Sequence, residues 1–173
     1  MSETQTACAR YPDFVDLAFA RRLEMAETMT ADCAEAVRRA TPTELVAWEQ
    51  IAGGTAFFGG VTYPANQIVG LGLYGEVTAE ALDQVEHFYR SRGVPTTIVV
   101  SPLADRSLLE LLGPRGYTIA EFNSVLILRI APDEPFTPPG GIVIEAVTPA
   151  TRLEHARVVA AGFSELAEVP EEV

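Results

Sequence analysis

One stretch of this chain constrains its fold more than any other: residues 66–94, which read NQIVGLGLYGEVTAEALDQVEHFYRSRGV. A short apolar run at 67–73 predicts a strand, and Tyr74-Gly75 predicts a turn. The apolar residues of 79–92 recur at helical spacing and predict an amphipathic helix. The stripe of this helix that we expect to be buried consists of Leu82, Val85 and Phe88. Because the first four N–H groups of a helix have no partner within it, a strand, a glycine turn and a helix start together can bind an anion.

The residues before this stretch predict helices and then a hairpin. A helix is expected to open at Tyr11-Pro12-Asp13, since proline suits the first helical turn. Its face towards a sheet would carry Val15, Ala18, Phe19, Leu23 and Ala26. From Asp32 either a second helix begins or the first continues, and it ends before Pro42. Residues 43–60 (TELVAWEQIAGGTAFFGG) predict two antiparallel strands joined by a turn at Gly53-Gly54.

The residues after this stretch return to strand and helix patterns. The run TTIVVSP at 96–102 predicts an apolar strand of the parallel type. A short helix is expected at 105–112, ended by Gly113-Pro114, and a long final strand at 118–130. Helices, antiparallel strands, a helix, a strand, a helix and a strand in this order indicate an α/β domain with a mixed sheet.

The strand, turn and helix of 66–94 resemble the element that holds acetyl-CoA in the GNAT N-acetyltransferase superfamily. The turn of that family is written Q/R-x-x-G-x-G/A, and its six positions fall on 73–78 when counted back from the helix end RSRGV. The segment LLELLGPRGYTI is similar to a second GNAT segment, with Gly116-Tyr117 in place of the family's Gly-Phe. The resemblance implies an α/β fold with a mixed, mostly antiparallel central sheet and helices on both faces.

The turn departs from the family pattern at the positions that bind phosphate. Leu73 replaces the Gln or Arg, Glu76 the first glycine and Thr78 the final Gly or Ala. The remaining positions are Tyr74, Gly75 and Val77. Glycine lets backbone amides approach a pyrophosphate closely, and Glu76 puts negative charge there instead. The resemblance implies acetyl-CoA as the cofactor, but we expect this chain alone to bind it weakly or not at all. Alternatively, Thr78 is an ordinary N-cap and the glutamates are ordinary first-turn residues.

The resemblance implies transfer of an acetyl group from acetyl-CoA to a small-molecule or peptide amine of unknown identity. Many members protonate the departing thiolate with a tyrosine, but that position falls on Leu112, which has no proton to give. Glu49 is the one candidate for a general base, and the alternative is a surface glutamate on a strand. Two hypotheses follow. The chain is the cofactor-motif-deficient N-terminal half of an N-acetyltransferase, or it is a non-catalytic GNAT-fold binding or structural module.

The pattern restarts behind a linker. Residues 11–130 are expected to form the GNAT-like domain, and 131–141, with four prolines and two glycines, to form a linker. Residues 142–173 resemble the first strand and helix of a second, incomplete GNAT-like domain, as in a tandem protein. An unpaired strand from Ile142 to Val147 would leave its backbone groups without partners. We therefore expect it to pair with this chain's own sheet or with that of a second chain, which would give a homodimer or strand exchange.

Charge and composition exclude several classes of partner. A net charge of −12 disfavours nucleic acid and an anionic membrane surface. Two cysteines and two histidines offer no recognisable set of metal ligands, so no metal is expected. The N-terminal residues lack the apolar run of a signal peptide, and no run is long enough to span a membrane. These features predict a cytoplasmic protein.

Overall fold

Three short strands form an antiparallel sheet in the middle of the first of two units of the chain. The computed structural model describes residues 15–28, 31–40, 46–128 and 138–164. The units are Met1–Phe122 and Asn123–Val173, and each is described by itself. The first contains β1 (Ala47–Ile51), β2 (Gly54–Phe58) and β3 (Ile68–Val69), in the order β1-β2-β3. The chain is therefore a mixed α/β protein with a small antiparallel sheet.

The predicted hairpin is present, with its turn one residue earlier than expected. Ala52 and Gly53 have φ angles of 47° and 81°, so both lie in the left-handed region. This pair of conformations is that of a type I′ turn, whose twist matches that of the two strands. The Cβ of alanine makes this left-handed conformation sterically unfavourable, whereas glycine and asparagine adopt it more readily.

The strand predicted at 67–73 is shorter in the structure. β3 ends at Val69 because the next residues turn: Gly70 and Gly72 have φ angles of 82° and 81°, and the Leu73 N–H donates to the Gly70 carbonyl at 3.2 Å. A Cβ on Gly72 would also lie 3.2 Å from that of Ala104. The apolar run is therefore two strand residues followed by a glycine turn.

Residues 97–99 lie parallel to β3, as predicted, but they join it at one bridge only. Ile68 pairs with Ile98: the Ile68 N–H donates to the Thr97 carbonyl at 3.0 Å, and the Val99 N–H donates to the Ile68 carbonyl at 2.9 Å. The other edge of β3 pairs with β2, where Ala56 lies opposite Ile68. Ile68 thus has neighbours on both sides.

Four helices surround this sheet, and most of their bounds agree with the sequence. They are α1 (Leu17–Glu27), α2 (Ala31–Ala40), α3 (Ala79–Arg90) and α4 (Arg106–Leu112). Side chains cap three of them, because Asp16, Thr78 and Asp105 each accept a backbone N–H of the first turn. The α1 start predicted at 11–13 lies outside the described residues. A second helix, rather than a continuation of the first, follows α1.

The sheet carries helices on both faces. Side chains of α3 pack against Ala56, Phe58 and Ile68 in the main core. All three predicted stripe residues of α3 are buried, and Tyr89 joins them. Phe57 points to the opposite side of β2, where it packs with Val46 and with Ala34 of α2. The faces alternate because successive side chains of a strand point in opposite directions.

The strand predicted at 118–130 is wrong for residues 118–128, and 129–130 lie outside the described residues. Residues 118–128 form no regular structure, and Phe122 and Leu126 are 89% and 93% exposed. An alternating apolar pattern specifies a strand only where another strand offers backbone groups to pair with. In the described part of the chain no such neighbour lies beside these residues.

The second unit contains α5 (Arg152–Ser164), a helix within the residues 142–173 that were expected to form a strand and a helix. The Thr148 and Thr151 side chains bond to each other's backbone N–H groups at its start. From Ile142 to Val147 the chain is not a ladder strand, and it has no ladder partner among the described residues. The pairing with this chain's own sheet is thus not observed, and pairing with a second chain stays a prediction. The linker residues 131–137 lie outside the described residues.

We predict that Ala52→Asn stabilises the protein. Asparagine tolerates the left-handed conformation that alanine adopts here under strain, so the free energy of unfolding should rise by roughly 1 kcal/mol. Urea denaturation followed by circular dichroism measures it. As the matched control, Ala52→Val should lower the stability, since a β-branched side chain fits this conformation less well than alanine does. An asparagine variant that is no more stable than the parent protein would contradict the assignment of the turn.

Candidate functional site

The turn at 73–78 connects β3 to α3, and several of its backbone groups are already bonded. The Leu73 side chain is buried, and its carbonyl accepts the Arg21 Nε–H at 2.8 Å. The Val77 N–H donates to Ser107 Oγ at 2.8 Å. Thr78 Oγ1 accepts the Ala81 N–H at 3.2 Å and so caps the helix. Protein groups thus already hold N–H groups of this turn and of the helix start.

A carboxylate completes this cap. The pKa of Glu80 is lowered because its carboxylate accepts the N–H of its own residue and a hydrogen bond from the Thr78 side chain. A negative charge in the first turn also interacts favourably with the helix dipole. Glu76 and Tyr74 are exposed beside it, and a Cβ on Gly75 would meet nothing within 4 Å. The helix start is an internally satisfied N-cap.

Arg115 lies along α3, where its charge is matched by two carboxylates. Its Nη1 is 2.6 Å from Asp83 Oδ1 and 3.1 Å from Glu86 Oε1, and its Nη2 donates to the Ala79 carbonyl at 3.0 Å. These bonds raise the pKa of Arg115, chiefly through Asp83. The guanidinium is thus held by acceptors on α3. Leu112, the residue that the sequence resemblance aligns with a general acid, packs against the main core.

Glu49 lies on the α3 face of the sheet, in a cavity of about 440 Å³. Asp83, His87 and Arg92 also line this cavity. The Arg92 guanidinium lies 4.0 Å from the centre of the Phe88 ring. None of the residues 73–78 lines the same cavity, so the structure does not bring Glu49 and the turn together there. Among the described residues, no three His, Cys, Asp or Glu side chains form a group that could hold a metal ion.

A larger cavity, of about 520 Å³, lies on the opposite face of the sheet. We call it the α1 cavity. Its walls are α1, the β1–β2 hairpin, the end of β3 and Tyr74. The side chains that give it its chemistry are Arg21, Glu24, Met25, Trp48, Gln50 and Tyr74. Trp48 and Gln50 reach this face because they alternate with Glu49 along β1.

Glu24 is the one described side chain with a buried polar atom that lacks a hydrogen-bond partner. Its Oε2 is shielded from solvent and finds none among the described residues. Burial raises the pKa of Glu24, and the nearby Glu27 raises it further. A shielded carboxylate without a donor is unfavourable, because it has lost water and gained nothing in return. Either a bound proton or a hydrogen bond donated by a ligand would therefore stabilise the Glu24 carboxylate.

Two other polar side chains of the α1 cavity, Arg21 and Gln50, bond to protein groups. Arg21 uses its Nε on the Leu73 carbonyl and lies 4.8 Å from the centre of the Tyr74 ring. Gln50 Nε2 donates to Thr55 Oγ1 at 2.6 Å. Trp48 and Tyr74 are 39% and 50% exposed, so aromatic surface is open at the rim. The cavity combines one unsatisfied carboxylate with aromatic walls.

Of the functional-site residues predicted from the sequence, only Tyr74 lines the α1 cavity. Glu24, Arg21 and Trp48 also line it, but the sequence did not predict them as site residues. A local indication existed for Glu24, since it follows the buried Ala20 by four residues and shares its helix face. The stripe predicted for α1 is rotated from the observed one, because Val15, Ala18 and Ala26 are exposed and Ala20 is buried.

Comparisons with protein-family models, with curated proteins and with solved structures find no match. Across the described ranges, no helix is both long and apolar enough to cross a membrane.

We predict that Glu24→Gln stabilises the protein at neutral pH. The folded-state pKa of Glu24 lies above its ordinary value of 4.5, so the native state favours the protonated carboxyl more than the unfolded state does. The stability that this proton provides is complete below the unfolded pKa and is lost as the pH rises through the folded pKa. Glutamine stays neutral, so the variant should gain roughly 1 kcal/mol at pH 7 and nothing near pH 4. Thermal unfolding as a function of pH measures both.

The matched control is Glu110→Gln, which removes an exposed carboxylate from α4, away from Glu24. It should change the stability by less than about 0.5 kcal/mol at either pH. If Glu24→Gln instead destabilised the protein at pH 7, the carboxylate would have a bonding partner in the folded state.

Proposed function

We propose that this chain is the cofactor-motif-deficient part of a GNAT-type N-acetyltransferase, and that by itself it is a non-catalytic module. The observation that carries the proposal is the start of α3, where Thr78 and Glu80 satisfy N–H groups that a pyrophosphate would need. Acetyl transfer from acetyl-CoA to a small-molecule or peptide amine would then depend on a cofactor site elsewhere in the working protein. Two cysteines favour a reducing, cytoplasmic location.

The order of elements supports the family part of this proposal. Two helices, an antiparallel hairpin, a strand, a turn, a helix and a parallel-bridged segment follow one another from α1 to Ile98. This is the order that the resemblance implies around the acetyl-CoA element. The mixed α/β architecture with helices on both faces of the sheet is consistent with it.

The charges near the turn support the cofactor-deficient part. A pyrophosphate at the start of α3 would meet Glu76 and Glu80. Two unit charges 4 Å apart repel by about 1 kcal/mol in water and by about 4 kcal/mol at an effective dielectric of 20. Arg115 is the nearest basic residue that we considered, but Asp83 and Glu86 already match its charge. No compensating cation is thus provided by these residues.

The backbone of β3 also has little to offer a pantetheine chain. Both the N–H and the carbonyl of Ile68 are bonded to the 97–99 segment. On the other edge, Ile68 and Val69 pair with β2. A ligand that bonds to this strand as an additional neighbour would have to displace one of these partners.

A homodimer or strand exchange through the segment from Ile142 to Val147 remains part of the proposal. Its apolar side chains Ile142, Val143, Ile144 and Val147 are exposed, and no ladder pairs it among the described residues. An exposed apolar strand of this kind favours pairing with the sheet edge of another chain.

We predict that this chain binds acetyl-CoA with a dissociation constant near millimolar or weaker and does not turn it over. Each charge-assisted hydrogen bond missing from a pyrophosphate site costs about 1.5–3 kcal/mol, so two of them turn a micromolar ligand into a millimolar one. Calorimetric titration measures the affinity, and release of free CoA thiol in the presence of amines measures turnover. A low-micromolar dissociation constant would show that the turn is misaligned or that other residues bind the phosphates.

A variant tests the cause directly. Glu76→Gly combined with Thr78→Gly should improve binding only modestly, by about tenfold or less, because Leu73 still replaces the family's Gln or Arg. The control is Glu110→Gln, which removes one negative charge from α4. It should leave the affinity unchanged, and an equal gain in this control would assign the effect to net charge.

A further inference from the structure

We propose that the α1 cavity binds a small organic cation whose ammonium group pairs with Glu24 and whose apolar body lies against Trp48. This inference goes beyond the proposed function, because it requires no acetyl donor. It rests on the cavity and its side chains, all within the first unit.

The size of the cavity fits a ligand of this kind. Its volume of about 520 Å³ lies within the roughly 300–1,000 Å³ of typical small-molecule sites. Such sites combine apolar walls with a few polar groups that fix the orientation of the ligand. Here Met25, Trp48 and Val69 supply apolar surface. The cavity therefore offers a compact ligand both surface to cover and a point of attachment.

The Glu24 carboxylate favours a ligand group that donates a hydrogen bond over one that accepts it. Its Oε2 is shielded and has no partner among the described residues. Gln50 donates to Thr55, and the Arg21 Nε donates to the Leu73 carbonyl. Because Oε2 is shielded in the empty cavity, the Glu24 side chain has to turn towards the cavity before a ligand N–H reaches it. That bond would satisfy the carboxylate, and a positive charge on the ligand would strengthen it. A primary ammonium supplies both.

The aromatic residues favour a flat apolar body behind the ammonium. Tyr74 already stacks with the Arg21 guanidinium, at 4.8 Å from the ring centre. Trp48 is partly exposed on the same cavity wall and is available to an aromatic or aliphatic ligand. Arg21 also limits the ligand to one positive charge, because a second cation near it would be repelled. A monoamine with an aromatic body fits better than a polyamine.

Binding is coupled to a proton. Among the described residues, the charged and titratable side chains that line the cavity with Glu24 or act on it are Arg21 and Glu27 on its own helix and Tyr74 on the facing turn. The facing sheet contributes the neutral side chains Trp48, Gln50, Thr55 and Val69. Burial and Glu27 raise the pKa of the empty Glu24 carboxyl, and the ammonium favours its ionised form. The proton goes to the buffer, so affinity rises with pH until the carboxyl is fully ionised.

The experiment titrates the intact chain with three probes that share one body: phenethylammonium, neutral 2-phenylethanol and anionic 3-phenylpropanoate. Calorimetry from pH 5 to pH 8 in two buffers of different ionisation enthalpy measures affinity and proton release. We expect the amine to bind about 10–100-fold more tightly than the alcohol, as one charge-assisted hydrogen bond implies. Its apparent heat should depend on the buffer at low pH and lose that dependence at high pH.

Glu24→Gln should weaken amine binding about 10–100-fold and abolish the proton release. The control Glu110→Gln, at an exposed position of α4 outside the cavity, should bind within about twofold of the parent protein. Circular dichroism and thermal melting check both folds, and Glu24→Gln is expected to be at least as stable as the parent at pH 7. A variant that is folded but binds poorly therefore reports on the site.

Several results would overturn the proposal. These are amine binding that Glu24→Gln leaves intact, equal binding of amine and alcohol, and no binding of the amine up to about 10 mM. Tighter binding of the anion would assign the cavity to Arg21 instead. None of these results involves acetyl-CoA, so failure here is distinct from failure of the cofactor prediction.

Discussion

The backbone pairing of Ile68 on both sides is the interaction on which the rest of the first unit depends. Its N–H bonds to the Thr97 carbonyl and its carbonyl accepts the Val99 N–H, while on the other edge it lies opposite Ala56 of β2 and the Gln67 carbonyl accepts the Phe57 N–H at 3.3 Å. The side chain of Ile68 is fully buried beneath α3. Because the backbone groups of a buried strand must be satisfied, the bonds of Gln67 and Ile68 together fix where the hairpin and the 97–99 segment lie.

The alternation of side chains along β1 and β2 gives the sheet one face that is packed under α3 and one face that borders a cavity. Ala56 and Phe58 point into the core under α3, together with Leu82 and Val85. The opposite face is covered less completely, so Trp48 and Gln50 border a cavity rather than a packed core. Glu49 lies on the α3 side, which is why the predicted base and the α1 cavity are on different faces.

The N–H groups at the start of α3 can bond either to the protein itself or to a ligand, but not to both. The free N–H groups of a helix start can bind a ligand anion or can be capped by the protein's own side chains. Thr78 and Glu80 cap them here, and Ser107 takes the Val77 N–H from outside the helix. The bonds that stabilise the helix therefore also occupy N–H groups that could otherwise bind an anion.

The sequence by itself determined the features that depend on near neighbours: the hairpin, the stripe and cap of α3, and α4. The sequence also contains Gly70 and Gly72, whose left-handed conformations end β3, but the apolar residues around them predict a longer strand. Tertiary structure alone decided whether a strand pattern found a partner: Ile98 pairs with Ile68, whereas Leu126 has no strand partner among the described residues. It also decided that Glu24 is shielded beside Trp48, because burial depends on residues distant in the chain. Periodicity is local, whereas pairing and cavities require distant segments to meet.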